Sequence, residues 1–290
     1  MKCLIDADVL RYECGFAGQY KDEDTGEVRH RDIDWVCDFL DERIREIEEA
    51  CEADEPSILF MTSDPYLNKL VNRRRKREGL SLQPHSPNFR FELAVSRPYK
   101  ERKADKPFHY KNLTAHILDH YNCRVVEGIE ADDAICIEQM KGSDTIICTR
   151  DKDLRMVPGM HYGWECGAQR EFGPQYIDHI GSLSRSKSGK VEGVGLVFFY
   201  YQMLVGDRTD TIPGLDKYGP AKAYKLLSDC TTEQQMFSVV SQAYAEKLGE
   251  GWRDYFEEQA HLLWMIREID DEGLPRHWQW PTDNLSIGDG

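Results

Sequence analysis

Four short apolar segments in the first half of the chain each run directly into acidic residues, and this pattern narrows the available folds most. Leu4-Ile5 ends in Asp6, with Asp8 just beyond. Ser57–Met61 leads to Asp64, Cys123–Val126 leads to Glu127 and Glu130-Ala131-Asp132-Asp133, and Asp144–Cys148 leads to Asp151 and Asp153. Helical periodicity occupies 32–53, 66–78, 111–121 and 132–141. Strands alternating with helices predict a mainly parallel α/β sheet flanked by helices. In such sheets ligands bind beyond the carboxyl ends of the strands. All four acidic clusters are expected at those ends.

Each cluster also has a local explanation. Asp132 and Asp133 open a helix, where carboxylates suit the positive end of the dipole. Asp151 and Asp153 can cap the helix that follows, and Asp8 reads as a turn or cap residue. Asp64 precedes Pro65, a common turn arrangement. Four such clusters together, joined by Gly206-Asp207-Arg208-Thr209-Asp210 further on, exceed what capping needs. Gathering so many carboxylates raises their pKa values unless cations neutralise them. Oxygen-only donors select hard ions such as Mg²⁺ or Mn²⁺. Two such ions, roughly 4 Å apart, can activate a water and stabilise the leaving oxygen of a phosphodiester. No Ser/His/Asp or Cys/His arrangement and no Walker-type loop competes with this reading.

Charge distribution indicates the partner. The 290 residues carry a net charge of −15, which alone disfavours nucleic acid. Yet 68–106 holds twelve Lys/Arg against four Asp/Glu, a local balance of +8 that leaves −23 on the rest. Its centre is Arg73-Arg74-Arg75-Lys76-Arg77, and Lys100, Arg102, Lys103 and Lys106 follow. Such a patch attracts polyanions by counterion release; a solvated basic helix is the plainer explanation. No window is apolar enough for a membrane span, and the first residues turn acidic before a signal-peptide core could form. Nine scattered Cys without a CxxC pair read as free thiols in a reducing cytoplasm, with neither structural zinc nor a disulfide framework.

The expected organisation is an α/β core over 1–180 that includes the basic segment near 66–110. A flexible Ser/Gly/Lys-rich loop at 181–195, a helical subdomain over 196–280 and a polar tail at 281–290 follow.

In this order the motifs resemble the 5′-nuclease family of bacteriophage 5′→3′ exonucleases and flap endonucleases. They are Leu4-Ile5-Asp6, Tyr99-Lys100-Glu101-Arg102, Glu127 to Asp133, Thr149-Arg150-Asp151-Lys152-Asp153, Gly206 to Gly214 and Tyr218 to Ala223. The resemblance runs from Lys2 to about Leu227 and is greatest to the compact phage enzymes. It implies a PIN-like α/β core followed by a helical part with a helix-hairpin-helix-type element. Asp6, Glu130, Asp132 and Asp133 would serve one metal region, and Asp151, Asp153, Asp207 and Asp210 a neighbouring or shared one. Asp64 lies where the family places another acid, within a divergent local pattern. Lys100 matches a lysine on the scissile phosphate, where a fixed cation stabilises developing charge, and Arg102 adds a phosphate contact. Tyr99 matches an aromatic position where a terminal base stacks, with simple packing as the alternative. The Arg73–Arg77 run would form part of an arch or clamp that guides single strands. Gly214, Gly219 and Lys222 would carry duplex phosphate at the hairpin; Asp216-Lys217-Tyr218 stands where a second hairpin glycine is usual.

The implied activity is Mg²⁺- or Mn²⁺-dependent 5′→3′ hydrolysis of duplex DNA by two ions, extending to 5′ flaps and RNA–DNA hybrids. K⁺ at the hairpin is a further site the resemblance allows. The setting would be cytoplasmic, the host cytoplasm for a phage protein. Two alternatives stay open: a non-catalytic DNA-binding module on the same fold, and a PIN-type ribonuclease.

Overall fold

A computed structural model describes residues 1–101, 105–142 and 144–281. The elements in chain order are β1 (Lys2–Asp6), α1 (Ala7–Ala17), β2 (Gln19–Lys21), β3 (Val28–His30), α2 (Ile33–Ala50), β4 (Glu55–Thr62), α3 (Pro65–Arg77), α4 (Arg90–Leu93), α5 (Tyr110–His120), β5 (Cys123–Val126), α6 (Ala131–Lys141) and β6 (Thr145–Cys148). A 3₁₀ turn at Asp153–Met156 precedes β7 (Gly159–Gly163), β8 (Phe172–Ile177), β9 (Ser182–Arg185), β10 (Val191–Val194), α7 (Leu196–Val205), α8 (Pro220–Leu227), α9 (Glu233–Leu248) and α10 (Trp252–Leu263).

The chain divides into two compact units. The first comprises Met1–Asn88, Ala104–Lys152 and Gly159–Tyr176, the second Phe89–Lys103, Asp153–Pro158 and the remainder from Ile177. The basic segment expected as one arch near 66–110 is therefore shared out between the two.

The sheet runs β5-β4-β1-β6-β7-β8. Its β5-β4, β4-β1, β1-β6 and β6-β7 pairs are all parallel. Parallel strands place their carboxyl ends along one edge, so Asp6, Asp64, Glu130 and Asp151 all follow from that edge. Register fixes the two faces. Ile5 pairs with Leu59 and Cys148, so Cys3, Ile5, Leu59, Met61, Ile146 and Cys148 share one side. That side is buried by Leu10 of α1, Leu40, Ile44 and Ile47 of α2, and Leu113 and Ile117 of α5. Helix α6 lies against β1, β4 and β6. In the second unit α7 is buried all round, from Leu196 to Leu204, as a central helix must be. It packs with α8, α9 and α10.

Two sequence expectations need correction. The 181–195 stretch is no flexible loop: β9 and β10 form an antiparallel hairpin, with Val191 opposite Arg185 and Val194 opposite Ser182. Its Ser/Gly/Lys composition hid the apolar positions Leu183, Val191 and Val194. Asp8 is not a turn residue but lies in the first turn of α1, a helix the sequence reading did not identify. The tail from 282 lies outside the described residues. Among those described, no helix is long and apolar enough to cross a membrane.

Candidate active site

In the first unit the strand-end acids are fastened by the helices they start. Asp6 is the last residue of β1 and caps α1, accepting the Val9 amide at 3.1 Å. Its other oxygen accepts the Thr149 hydroxyl at 2.7 Å. The side chain is 1% exposed. Burial, and then the nearby Asp8 charge, push its pKa up to about 6. Asp8 accepts the Thr62 amide with both oxygens, at 3.2 and 3.0 Å, and pairs with the buried Arg11 guanidinium.

Asp64 caps α3 through the Leu67 amide at 2.8 Å and binds the Lys106 ammonium at 2.8 Å. Burial pushes its pKa up, but the Lys106 contact and the Leu67 amide outweigh that and hold it below the usual carboxylate value. Glu130 and Asp133 form a capping box on α6, the Glu130 amide donating to Asp133 at 3.1 Å. The Ala131 amide donates to Thr62 Oγ1 at 2.8 Å, which ties α6 to the end of β4. Asp132 is half-buried on the first turn of the same helix. The Asp151 amide donates to Thr149 Oγ1 at 3.0 Å, so Thr149 links it to Asp6. Helix capping thus accounts for the local contacts of Asp6, Asp64 and the Glu130/Asp133 pair. Capping and ion binding do not exclude each other, because an ionised carboxylate has about four lone-pair sites.

Glu127 organises the neighbouring loop. Its oxygens accept from Ser63 Oγ at 2.6 Å, Asn68 Nδ2 at 2.7 Å and the Ser86 amide at 2.9 Å, and His85 Nδ1 lies 2.9 Å away. Burial opposes its charge, yet these donors win and its pKa falls below the usual value.

The second unit assembles another acidic set. Asp153 and Asp207 are buried and share one donor: Gln202 Nε2 lies 2.7 Å from Asp153 Oδ1 and 3.5 Å from Asp207 Oδ2. Asp207 also accepts the Thr209 amide at 2.7 Å and the Asp210 amide at 3.3 Å. Gln202 Oε1 is buried with no hydrogen-bond partner. An orphaned oxygen beside two buried carboxylates makes an acceptor-rich surrounding, and oxygen donors of this kind suit a hard divalent cation. Sequence reasoning missed Gln202 because it sits in the apolar run of α7.

Lys100 lies in this unit, with its Nζ 3.8 Å from Asp210 Oδ1 and its amide donating to the Asp210 carbonyl at 3.0 Å. Its φ of +47° is left-handed, a conformation non-glycine residues adopt only at a cost. Tyr99 is 4% exposed, and its hydroxyl donates to Asp210 Oδ2 at 3.0 Å. With its ring edge-on to Phe91, Tyr99 is a packed residue rather than an open stacking surface. Arg102 lies outside the described residues.

The basic run occupies the last two turns of α3. Arg74 donates to the Leu118 carbonyl at 2.8 Å and Arg75 to the Ser81 carbonyl at 2.6 Å, so these two hold structure. Arg73, Lys76 and Arg77 are exposed. At the hairpin, Gly206 and Gly214 both take positive φ, and a Cβ on Gly214 would meet Gly206 N at 2.3 Å. The Gly214 amide donates to Gln259 Oε1 at 3.1 Å. That glycine serves backbone packing, and its amide is already used. Lys217 adopts φ +66°, taking the left-handed place at which a glycine was expected. Gly219 precedes α8 with open space around its α-carbon. Lys222 Nζ sits 3.4 Å from the Tyr218 ring centroid.

No family model matches the chain. DNA polymerase I of Streptococcus pneumoniae is 27% identical over 199 residues, which span 63% of this chain and 21% of that protein. Among solved structures, the T5 D15 protein co-crystallised with metal ions is 11% identical, with a TM-score of 0.44 over 90% of this chain and 98% of its own. T5 5′-exonuclease with bound zinc has the same identity and score over 91% and 100%. The catalytic core of Rad2 in complex with DNA substrate is 12% identical, with a TM-score of 0.40 over 93% and 75%. On a mixed α/β fold with a mainly parallel central sheet, and with its motifs in that order, the chain is similar to the 5′-nuclease family.

Proposed function

We propose that the chain is a divalent-metal-dependent 5′ nuclease that hydrolyses DNA phosphodiesters from 5′ ends, with 5′ flaps and RNA–DNA hybrids within its range. The observation that carries this reading is the row of carboxylates fixed at the carboxyl edge of the parallel sheet. Asp6, Asp64, Glu130, Asp132, Asp133 and Asp151 would hold one divalent ion, and Asp153, Asp207 and Asp210 the other. A bound Mg²⁺ or Mn²⁺ supplies positive charge to the attacking water and to the departing oxygen. The protein's own groups do the rest. Thr149 and the Val9 amide orient Asp6, and Gln202 fixes Asp153 and Asp207. Lys100, anchored at Asp210, brings an ammonium to a phosphate oxygen. Gly219, at the head of α8, and Lys222 receive duplex backbone, so little base-sequence preference is expected.

The deciding experiment is cleavage of 5′-labelled duplex, flapped DNA and RNA–DNA hybrid with Mg²⁺ and with EDTA. Release of short 5′ products that stops in EDTA supports the reading. Tight binding with no cleavage would identify a DNA-binding module. Cleavage of RNA alone would identify a ribonuclease.

The exposed cations make a separate prediction. Converting Arg73, Lys76 and Arg77 together to Gln should weaken duplex binding and flatten the log–log salt slope by about 3, since each phosphate left without its cation removes about 0.9. Filter binding across a salt series measures it. An unchanged slope would make this end of α3 a solvated face.

A further inference from the structure

Three of the nine cysteines, scattered in the sequence, meet in the core of the first unit. Cys3 lies on β1, Cys51 is the residue that ends α2, and Cys148 closes β6. Their sulfurs all lie within 4.8 Å of one another, and all three residues are buried. Cys51 Sγ and Cys148 Sγ are 3.7 Å apart. The register explains the meeting. Cys3 and Cys148 project from the same face of adjacent strands, and α2 crosses that face and delivers Cys51 from its end. Asp6 alternates onto the other face of β1, so the thiols are separate from the carboxylate sets.

We propose that Cys3, Cys51 and Cys148 form a three-sulfur site for a thiophilic d¹⁰ cation of the zinc or copper(I) class. Metal–sulfur bonds of about 2.3 Å require sulfurs about 4 Å apart, whereas a disulfide needs about 2.05 Å. The observed 3.7 Å matches the first. Soft thiolate donors with no carboxylate among them select this class of ion over Mg²⁺. The three cysteines belong to the same buried apolar cluster as Ile5, Ile47, Leu59 and Ile146, with the Ser57 hydroxyl beside Cys3. The three sites are 48 and 97 residues apart in sequence, so only the folded chain brings them together. Binding would then add directly to folding stability.

Cd²⁺ is the probe, because thiolate-to-cadmium charge transfer absorbs in the ultraviolet and carboxylate-bound cadmium does not. The full chain, reduced and stripped with chelator, is refolded with Cd²⁺ in excess Mg²⁺. Mg²⁺ occupies the carboxylates and leaves thiols alone. A charge-transfer band that saturates at one equivalent, with a raised Tm, is expected. A parallel refolding with Cu⁺ under anaerobic conditions distinguishes the two metals by which one raises Tm further. Cys51→Ser and Cys148→Ser should each lose at least half of the band and bind about tenfold or more weakly, while Cys166→Ala should behave as the parent. Wild-type protein with no band, or an undiminished band in both Ser variants, would overturn the site. The wild-type titration decides even if a Ser variant does not fold.

Discussion

Asp153→Asn is expected to lower the rate of Mg²⁺-dependent 5′ cleavage by about 10³-fold or more, near 4 kcal/mol of barrier, with duplex binding in EDTA within about twofold of the parent. Asn keeps the shape of Asp153 and can still meet the Gln202 amide. The exchange therefore removes one negative charge and little else. A hard dication held there by oxygen ligands would depend strongly on that charge, and it would supply positive charge to the attacking water and the leaving oxygen. On the proposed reading, duplex affinity would come from exposed cations such as Arg73, Lys76 and Arg77. Asp207→Asn should behave alike, because Asp207 shares the Gln202 donor at 3.5 Å. Single-turnover cleavage and metal-free filter binding separate the two effects. Turnover within tenfold of the parent would remove Asp153 from the metal set. Loss of cleavage together with loss of binding would mean that the substitution had disturbed the fold.

The four acidic strand ends were legible in the sequence because each is local: an apolar run, a turn, a carboxylate. The parallel sheet sets those ends along one edge. What stayed hidden is non-local or unpunctuated. Helix α1 begins at Ala7, directly after the last residue of β1, and Asp6 is at once strand end and helix cap, so no turn residue marks the boundary. Gln202 looked like one polar residue in an apolar helix until folding set it beside Asp153 and Asp207. Tyr99 matched a family motif, but a motif carries no burial, and the ring proved to be packed against Phe91. The Arg73–Arg77 run read as a single charged block. The fold spends Arg74 and Arg75 on carbonyls, and only Arg75 of the five is drawn in from the exposed surface. The thiol cluster could not be read at all, since spacing rules for metal sites look for ligands close in sequence.

Arg11 was equally hidden, and its loss should be the largest single blow to stability outside the apolar core. It is 2% exposed. It pairs with Asp8, donates to Thr114 Oγ1 at 3.1 Å and lies 4.6 Å from the Tyr110 ring centroid. It thus joins α1 to α5 beneath the strand-end acids. Arg11→Met fills the stem volume but leaves Asp8 with the Thr62 amide alone. Removing one partner of a buried pair costs about 3–5 kcal/mol. Two features pull the figure toward the lower end: Asp8 is 28% exposed, and Arg11 Nε already lacks a partner. The expected loss is about 3 kcal/mol, or roughly 6–12 °C in Tm for a protein of this size. Asp8→Asn alone should also destabilise, by stranding a buried guanidinium. The double variant Arg11→Met/Asp8→Asn should recover part of the loss, because no charge is then left unpaired. Thermal unfolding of the four proteins closes the cycle. A double variant as unstable as the sum of the singles would mean the pair carries no coupling. The role of Arg11 would then reduce to its contacts with Thr114 and Tyr110. Turnover measured well below Tm should fall less than tenfold in Arg11→Met, in contrast to Asp153→Asn. Arg11 acts through its contacts within the first unit, whereas Asp153 belongs to the proposed metal set.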